Sequence, residues 1–284
     1  MKYLFTVFSL VFFSCSSPQD QRFGGAMLYT VRAEMADNPN KTLKAVADLG
    51  YKYVEVAGYS NGKFYGMSPK DFRTALAEHN LIAVSSHQGI NQMAEVDEMI
   101  AAVKAVGIQY FVIPVPPMGQ FFHDNVTNQM GMKCDVETLA ELLIAIGKKC
   151  AEQGLELLYH NHDFEFFVDE QGNTIIDYLL ENTPAEYVNF QMDLYWINKA
   201  KANPLAYFEK YPGRFKSWHV KDMDSQRRFT PVGEGVIDFE SILAHKEKAG
   251  MRYYFVEQDR TFDGQKPIEA LSISKNNLKR LGFK

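Results

Sequence analysis

The segment Glu156–His162 has the sequence Glu-Leu-Leu-Tyr-His-Asn-His, in which a short apolar run leads into polar residues. Such a run is typical of a parallel strand that is buried on both faces. Seven further runs of this kind recur along the chain: Ala26–Thr30, Tyr53–Ala57, Ile82–His87, Tyr110–Val115, Val188–Asp193, Phe215–Lys221 and Tyr253–Glu257. The sequence therefore predicts eight strands.

Amphipathic helical stretches separate these runs. One of them places its apolar residues at the spacing i, i+3, i+4 and i+7: Val96, Met99, Ile100 and Val103. Strand–helix units that repeat every roughly thirty residues predict parallel strands joined by crossover helices. Eight such units without a linker predict the α/β class and one closed (β/α)8 TIM barrel. An open doubly wound sheet is the alternative, but Tyr29–Ala33 is not the glycine-rich phosphate loop expected after its first strand.

The composition restricts the class of partner. The chain has 284 residues, of which 46% are apolar, and this is enough for one large domain with a sizeable core. Its 30 basic and 35 acidic residues give a net charge of −5. A mildly acidic chain has no general field that attracts nucleic acid. We therefore expect a small-molecule partner and no nucleic acid.

The first residues have the pattern of an export signal. Met1-Lys2 precedes the apolar run Tyr3–Phe13, which is too short to cross a hydrocarbon core of about 30 Å. Ser14-Cys15 resembles the lipobox of bacterial lipoproteins, in which the cysteine is acylated. The alternative is a plain signal peptide that is cut elsewhere.

This pattern predicts three parts of the chain: a lipoprotein signal peptide (1–14), a tether (15–22) and one catalytic barrel domain (23–284). We expect an exported bacterial lipoprotein on the periplasmic side of the membrane or on the cell surface. Contact with the membrane would occur only through the lipid on Cys15. The two remaining cysteines, Cys134 and Cys150, are expected to be free and structural, because two cysteines make no disulfide framework.

Ionisable residues stand at the ends of the last four strands. Active sites of such barrels lie at the carboxyl ends of the strands, so these side chains are expected to meet. His160, Asp193, His219 and Glu257 thereby predict a cage for a divalent metal. Mixed nitrogen and oxygen ligands suit Mn²⁺, Co²⁺ or Zn²⁺ better than Mg²⁺ or Ca²⁺. Each residue taken alone has a simpler reading, as a core or rim group with one hydrogen bond.

Five segments resemble the sugar phosphate isomerase/epimerase family, which has a xylose isomerase-like barrel: Tyr159–Phe166, Gln191–Trp196, Pro212–Asp222, Val232–Phe239 and Phe255–Asp259. The resemblance implies a metal held by Glu, Asp, His and Glu on strands five to eight. The last three match Asp193, His219 and Glu257. The first is a departure, because His160 stands where the family has Glu, and His162 and Glu165 are the other choices for this ligand.

The resemblance also implies a reaction, namely removal of a proton next to a sugar carbonyl with help from a metal, Mn²⁺ being favoured over Co²⁺ and Zn²⁺. His162 is the predicted base, since histidine moves protons near neutral pH. Glu257 is a competing base. Lys221 would orient or protonate a sugar oxygen, or else form a salt bridge with Asp222.

Other residues are predicted to contact the substrate. Glu55 and His87 are expected to bind hydroxyl groups, and Trp196 is expected to stack on a sugar ring. Two long segments follow strands four and seven, and they contain Phe121, Phe122 and His123, and Arg227 and Arg228 respectively. The predicted substrate-binding residues are Glu55, His87, His123, Glu165 and Trp196.

Three classes of function remain after this comparison. Zinc-dependent apurinic endonucleases share the barrel, but they have a histidine where Trp196 stands and an Asp-x-His pair after strand seven, whereas this chain has no His between His219 and His245. A sugar-binding protein without activity is a second class. The favoured class is an enzyme acting on an unphosphorylated keto-sugar or 3-keto-glycoside, most specifically a lyase, with an isomerase or epimerase as alternative. A sugar oxidoreductase is a possible partner, as the source of the keto group.

Overall fold

The computed structural model describes residues 23–127 and 129–283, and eight of its strands form a closed parallel barrel. The barrel strands are β1 (Phe23–Met27), β2 (Tyr53–Val56), β3 (Ile82–His87), β4 (Tyr110–Ile113), β5 (Glu156–His160), β6 (Asn189–Asp193), β7 (Phe215–Val220) and β8 (Tyr253–Val256). Each strand pairs in parallel with the next in the chain, and β1 closes the barrel against β8. The predicted fold is confirmed.

Seven of the eight predicted strands differ from the observed ones by one to three residues at an end, and two of these differences bear on the site. Strand β1 begins at Phe23 and ends at Met27, and Leu28–Val31 forms a 3-10 helix. Glycines at the start of β1 hid it from pattern analysis, but the barrel requires one of them, because a Cβ on Gly25 would lie 2.6 Å from the carbonyl oxygen of Tyr53. Strand β5 ends at His160, so His162 lies just beyond the strand.

Helices form the outer layer, and in the described part of the chain they are Arg32–Asp37, Pro39–Asp48, Pro69–Glu78, Val96–Val106, Val136–Glu152, Ile175–Asn182, Leu194–Lys199, Pro204–Lys210, Phe239–Ala244, Lys246–Ala249 and Pro267–Arg280. Their starts follow local signals. Ser68 accepts a hydrogen bond from the backbone of Asp71 at 3.2 Å, and Pro69 occupies the first helical position. The apolar faces pack on the outer surface of the barrel and form the main core.

Three short hairpins extend the loops after strands β2, β4 and β7. They pair Tyr59–Ser60 with Lys63–Phe64, Phe121–His123 with Met130–Met132, and Asp222–Met223 with Phe229–Thr230. The last two lie in the segments that sequence analysis assigned to the substrate pocket. All three hairpins follow the carboxyl ends of barrel strands, where they can form walls around the mouth of the barrel.

The described residues bear on two further predictions. Cys134 and Cys150 are free, as expected, and Cys150 is buried in the core. Within residues 23–127 and 129–283, no helix is both long and apolar enough to span a membrane. The predicted signal peptide (1–14), the acylated Cys15 and the tether (15–22) lie outside the described residues and stay predictions.

Candidate active site

The inside of the barrel has two layers. Toward the amino ends of the strands it is apolar, with a cluster that includes Val84, Tyr110, Val112, Leu158 and Phe255. Toward the carboxyl ends the inward-facing residues become polar. They are Glu55, His87, His160, Gln191, Asp193, His219 and Glu257, and all but His87 are buried. Because strand residues alternate between faces, this change occurs within two residues on a single strand, as in Leu158 and His160.

Glu55 lies in the centre of the polar layer. Its carboxylate accepts hydrogen bonds from the Ser85 hydroxyl and from Gln191 Nε2, the latter at 2.7 Å, and it contacts His219 Nε2. The side chain has no exposed surface. The structure therefore places Glu55 away from the cavity surface, and its role in binding substrate hydroxyls stays a prediction. The alternation of side chains along the strand correctly predicted that Glu55 points into the barrel. It could not predict how far below the cavity the side chain lies.

Gln191 connects the histidines to Glu55. Its amide oxygen lies 2.9 Å from His160 Nδ1 and 2.8 Å from His87 Nε2, and an amide oxygen can only accept. Both ring nitrogens must therefore carry hydrogen and donate. This leaves His160 Nε2 without a proton in the neutral ring, so that it is available as a ligand. His219 Nε2 contacts the Glu55 carboxylate, which supports this ring from behind. Burial alone would lower the pKa of His219, but the carboxylates of Glu55, Glu257 and Asp193 raise it well above its usual value, so a metal bound at Nδ1 would have to displace a proton.

Four candidate ligand atoms converge beside this network. His219 Nδ1 lies 2.7 Å from Glu257 Oε2 and 3.7 Å from Asp193 Oδ2, and His160 Nε2 lies 3.8 Å from the same Asp193 oxygen. Asp193, His219 and Glu257 form one group whose ligand atoms lie within 4.8 Å of one another. Asp193 Oδ2 and His219 Nδ1 are buried, and their nearest charged partners are the Lys221 ammonium at 2.9 Å and the Glu257 carboxylate at 2.7 Å. Two imidazole nitrogens and two carboxylates that converge in this way form a set of ligand atoms that fits a divalent metal.

His87 offers another combination of possible ligands. Together with His160 and His219 it forms a second group of suitable atoms, and its ring stacks on that of His219 at a centroid distance of 5.2 Å. Its Nε2 is already occupied by Gln191. The structure therefore brings together all four residues predicted as ligands, and it adds His87 at their edge. His162, the alternative first ligand, lies outside both groups.

Lys221 lies among the carboxylates of the site. Its ammonium group is 2.6 Å from Glu257 Oε2, 2.9 Å from Asp193 Oδ2 and 3.1 Å from Asp259 Oδ1. The alternative salt bridge to Asp222 is wrong. The carboxylate of Asp222 instead accepts the backbone N–H groups of Met223, Gly233, Gly235 and Ile237, and thereby fixes the loop after β7.

Opposite charges in the site stabilise each other's ionised forms. Burial alone would lower the pKa of Lys221, but Asp193, Asp259 and Glu257 raise it well above its ordinary value. Burial alone would raise the pKa of Glu257, but Lys221 and His219 hold it below its usual range. Lys221 thus stays cationic and Glu257 anionic over the physiological range. Asp259 differs, because burial raises its pKa to about 6 in spite of Lys221.

His162 stands apart from these ion pairs. Burial, reinforced by the charge of Lys221, lowers the pKa of its ring to about 3, so the ring is neutral near pH 7. Its Nδ1 is buried and has no hydrogen-bond partner. The ring centroid lies 5.2 Å from that of Trp196 and 5.1 Å from that of His160. His162 therefore offers a neutral nitrogen acceptor beside the polar layer.

Glu165 lies on the outer side of β5, away from the barrel interior. Its carboxylate accepts hydrogen bonds from the Tyr159 hydroxyl and from the backbone N–H of His162, both at 2.8 Å, and it is fully buried. Because Tyr159 faces the helices rather than the barrel interior, Glu165 lies behind β5. It belongs to neither group of candidate metal ligands and does not line the cavity, so its predicted roles as substrate-binding residue or metal ligand gain no support from this position. It holds the backbone that carries His162.

A cavity of about 630 Å³ opens above the polar layer. Seven predicted site residues line it: His87, His123, His160, His162, Trp196, Lys221 and Glu257. Asp193 and His219 lie beneath its floor. Phe121 and Phe229 add aromatic walls, and Lys199 lies 4.3 Å above the Trp196 ring. A concave site with convergent polar groups and aromatic walls is suited to a small ligand such as a sugar.

Two polar residues of the site were missed by sequence analysis. Gln191 faces inward two residues before Asp193, so strand alternation could have found it, but a neutral amide carries no obvious chemical signal. Asp259 follows β8 in a loop, where alternation no longer applies, and its contact with Lys221 appears only in the folded chain.

A closed parallel barrel with its polar layer and cavity at the carboxyl ends of the strands defines a protein of the TIM-barrel class, whose active sites lie at this end. More particularly, the chain belongs to the xylose isomerase-like TIM barrel family, whose family model matches residues 43–272.

Individual relatives agree with this assignment. A sugar phosphate isomerase/epimerase from Parabacteroides distasonis has the same fold, with a TM-score of 0.76 and 23% identity over 92% of this chain and 98% of that chain. The 3-keto-D-glucoside 4-epimerase YcjR from E. coli has a TM-score of 0.66 and 17% identity over 92% and 99%. In sequence, inosose dehydratase from Salmonella typhimurium is 26% identical over 166 residues, which cover 51% of this chain and 54% of that protein. The chain spans about half the length of the curated relatives it matches.

Proposed function

We propose that this protein is a metal-dependent enzyme that removes a proton next to the carbonyl group of an unphosphorylated keto-sugar or 3-keto-glycoside. In its most specific form, the proposal is a 3-keto-glycoside lyase that expels the C1 substituent by β-elimination. An isomerase or epimerase is the alternative, because it begins with the same proton removal. The location in this proposal is an exported lipoprotein, and a sugar oxidoreductase is the expected source of the keto group.

The observation that carries the proposal is the pairing of a neutral acceptor with a permanent cation in one cavity. His162 has an unpaired Nδ1 and a lowered pKa, whereas Lys221 is held positive by three carboxylates. Both lie near one aromatic ring, since the His162 centroid is 5.2 Å and the Lys221 Nζ 5.9 Å from the centroid of Trp196. Removal of a C–H proton requires such a base together with positive charge near the oxygen that becomes negative.

His162 and Lys221 take different roles in the proposed elimination. His162 accepts the C2 proton, and the electrons of the C2–H bond form a double bond between C1 and C2. The C1–O bond breaks, and its electron pair leaves with the glycosidic oxygen, which takes up one proton to become an alcohol. Lys221 donates a hydrogen bond to the sugar oxygen on which negative charge develops. If the proton instead returns to carbon, the outcome is isomerisation or epimerisation.

His162 suits the role of base better than Glu257 does. The His162 ring has an unoccupied nitrogen, although its lowered pKa makes it a weak base, whereas the Glu257 carboxylate is already engaged by Lys221 and His219. Glu257 is better suited to hold a cation with His160, Asp193 and His219. A metal bound there, with Mn²⁺ preferred to Co²⁺ or Zn²⁺, would polarise the sugar carbonyl as a Lewis acid.

The state of the two arginines supports an unphosphorylated substrate. The Arg227 guanidinium contacts the carbonyl oxygen of Lys199, and Arg228 Nε donates to Asp224 Oδ2 at 2.8 Å. Each guanidinium is thereby partly engaged by groups of the protein itself. The names of the relatives support a keto substrate, because one is an inosose dehydratase and another a 3-keto-D-glucoside epimerase. The word dehydratase denotes an elimination, which is the type of reaction proposed here.

Deuterium exchange tests the proposal. The protein lacking residues 1–14 would be incubated in heavy water with a 3-keto-glucoside or a free ketose, with Mn²⁺ or with a chelator. We expect exchange or loss of the C–H next to the carbonyl that depends on the metal. Release of the C1 substituent would identify a lyase, and its retention an isomerase or epimerase. Sugar binding without any exchange would overturn the proposal in favour of a binding protein.

A further inference from the structure

A second cavity of about 510 Å³ adjoins the first at the rim of the barrel. It lies between the hairpin that follows β7 and the loop that follows β8. Arg228, Phe229 and Phe262 border both cavities, so these three side chains form the partition between them. Lys221 Nζ lies 5.9 Å from the Phe229 ring centroid, which places the partition directly beside the proposed site of chemistry.

The side chains of the partition are held in place by contacts with their neighbours. Arg228 lies over the ring of Phe262, with 5.0 Å between its guanidinium carbon and the ring centroid, and it also binds Asp224. Phe229 packs against Tyr195 at a centroid distance of 4.1 Å. The two aromatic rings therefore have fixed neighbours, and each offers an apolar surface suited to the face of a sugar ring.

The charges around the second cavity select against anions. Four carboxylates line it, from Asp224, Glu234, Asp263 and Glu269, and Arg228 is the one cation among its lining residues. Hydrogen bonds from the backbone and the Arg228 guanidinium hold the pKa of Asp224 below its usual value. Carboxylates accept hydrogen bonds from hydroxyl groups but repel phosphates and carboxylates. The second cavity is thus suited to an uncharged, hydroxyl-rich group.

Gln258 provides an independent observation, because its side-chain oxygen lacks a hydrogen-bond donor. Its side chain borders the second cavity, and the residue is only 4% exposed. Its Nε2 donates to the carbonyl oxygen of Arg260 at 3.1 Å, whereas its Oε1 accepts no hydrogen bond. A buried acceptor without a partner is costly unless something donates to it. Gln258 thus brings an unpaired acceptor into the wall of the second cavity, next to Gln265.

From these observations we infer that the second cavity binds the leaving group of the substrate, and that this group is an uncharged polyhydroxylated ring such as a second pyranose. The inference rests on the proposed function, since it assumes that a keto-sugar ring occupies the first cavity. It narrows the substrate from any 3-keto-glycoside to a 3-keto-disaccharide. The glycosidic bond would then cross the partition, within reach of Lys221.

A substitution that fills the second cavity tests the inference. Gln265 lines the second cavity but not the first, so Gln265→Trp would obstruct the leaving-group position and spare the reacting ring. Gln171→Trp is the matched control, because Gln171 is exposed in a turn and lines neither cavity. Each protein would be assayed with a 3-keto methyl glucoside and with a 3-keto-disaccharide. Thermal unfolding would accompany each assay.

For Gln265→Trp, we expect KM for the keto-disaccharide to rise at least tenfold. Its KM and kcat for the methyl compound should stay within twofold of wild type, and this also shows that the variant is folded. Gln171→Trp should match wild type on both substrates. Equal effects of Gln265→Trp on both substrates, or none on either, would overturn the inference and leave the proposed function intact.

Calorimetry separates failure of this inference from failure of the proposed function. If wild type transforms neither keto compound, an unoxidised disaccharide serves as the binding probe. Binding to wild type that is at least tenfold weaker in Gln265→Trp would support the second sugar position even though the proposed reaction had failed. Absence of binding to wild type would overturn both.

Discussion

The two layers inside the barrel are built on the same strands and the same face, yet they have opposite properties. Leu158 and His160 are neighbours on the inward face of β5, and both are buried. Leu158 packs in an apolar cluster, whereas His160 joins a network of histidines and carboxylates. Burial is thus common to both layers, and the presence of hydrogen-bond partners separates them. The apolar layer supports the barrel, and we assign the chemistry to the polar layer.

The largest effect is expected from His162, at the edge of the polar layer. His162→Gln removes the proposed base, and general base catalysis typically contributes about 10²–10⁴-fold to a rate. We expect deuterium exchange from the keto substrate to fall by that factor. His79→Gln, at the end of an outer helix, is the matched control. Exchange that survives at the wild-type rate would exclude His162 as the base and favour Glu257.

Two substitutions on β5 compare how much each layer contributes to the free energy of unfolding. Leu158→Ala should lower the free energy of unfolding by about 2–5 kcal/mol, because it opens a cavity in a packed cluster. His160→Ala should lower it less, since His160 lies beneath an open cavity where water can replace it. Urea unfolding measures both, and calorimetry with Mn²⁺ should show weaker binding only for His160→Ala. The opposite ranking would contradict the division into two layers.

Glu55→Gln tests whether the polar layer acts as one network. The substitution keeps the shape but weakens the acceptor that orients His219. Loss of a partner behind a metal ligand typically lowers metal affinity about 10–100-fold. We expect that loss in Mn²⁺ titrations, while the exposed control Glu152→Gln binds as wild type does. Unchanged affinity would show that His219 needs no support from Glu55.

The last comparison concerns two buried glutamates in different settings. Burial alone would raise the pKa of Glu55, but His219 and His87 lower it, whereas burial raises the pKa of Glu165 to about 8 from 4.5. Folded protein therefore keeps a proton on Glu165 that the unfolded chain releases above pH 4.5. This contribution to stability is complete below pH 4.5 and declines as the pH rises toward 8, by about 1.4 kcal/mol per pH unit at most.

Urea unfolding at pH 5, 6, 7 and 8 measures this contribution. The difference in unfolding free energy between wild type and Glu165→Gln should shrink as the pH rises, and the exposed control Glu170→Gln should show no such trend. A difference that is constant with pH would mean that Glu165 is ionised throughout.

Sequence reasoning predicted the barrel because apolar runs and helical periodicity are local properties. It also brought His160, Asp193, His219 and Glu257 to one place, since each ends or closely follows a consecutive strand. It could not predict depth, and so Glu55 was assigned to the substrate although it lies beneath His219. It placed Glu165 on the wrong side of β5, because alternation ends where the strand ends. Gln191 was missed because its importance comes from its neighbours rather than from its own chemistry.

The seam between β1 and β8 has a consequence for the order of folding. It joins Gly24 to Tyr254, about 230 residues apart in sequence, and a Cβ on Gly24 would overlap the Tyr254 ring. Contacts between such distant residues form late, because a long loop must close first. Glu257 directly follows the strand that completes this seam. The polar layer is therefore complete only once the two ends of the barrel meet, and a chain that lacks its last strand would bring together no more than three of the four candidate ligands.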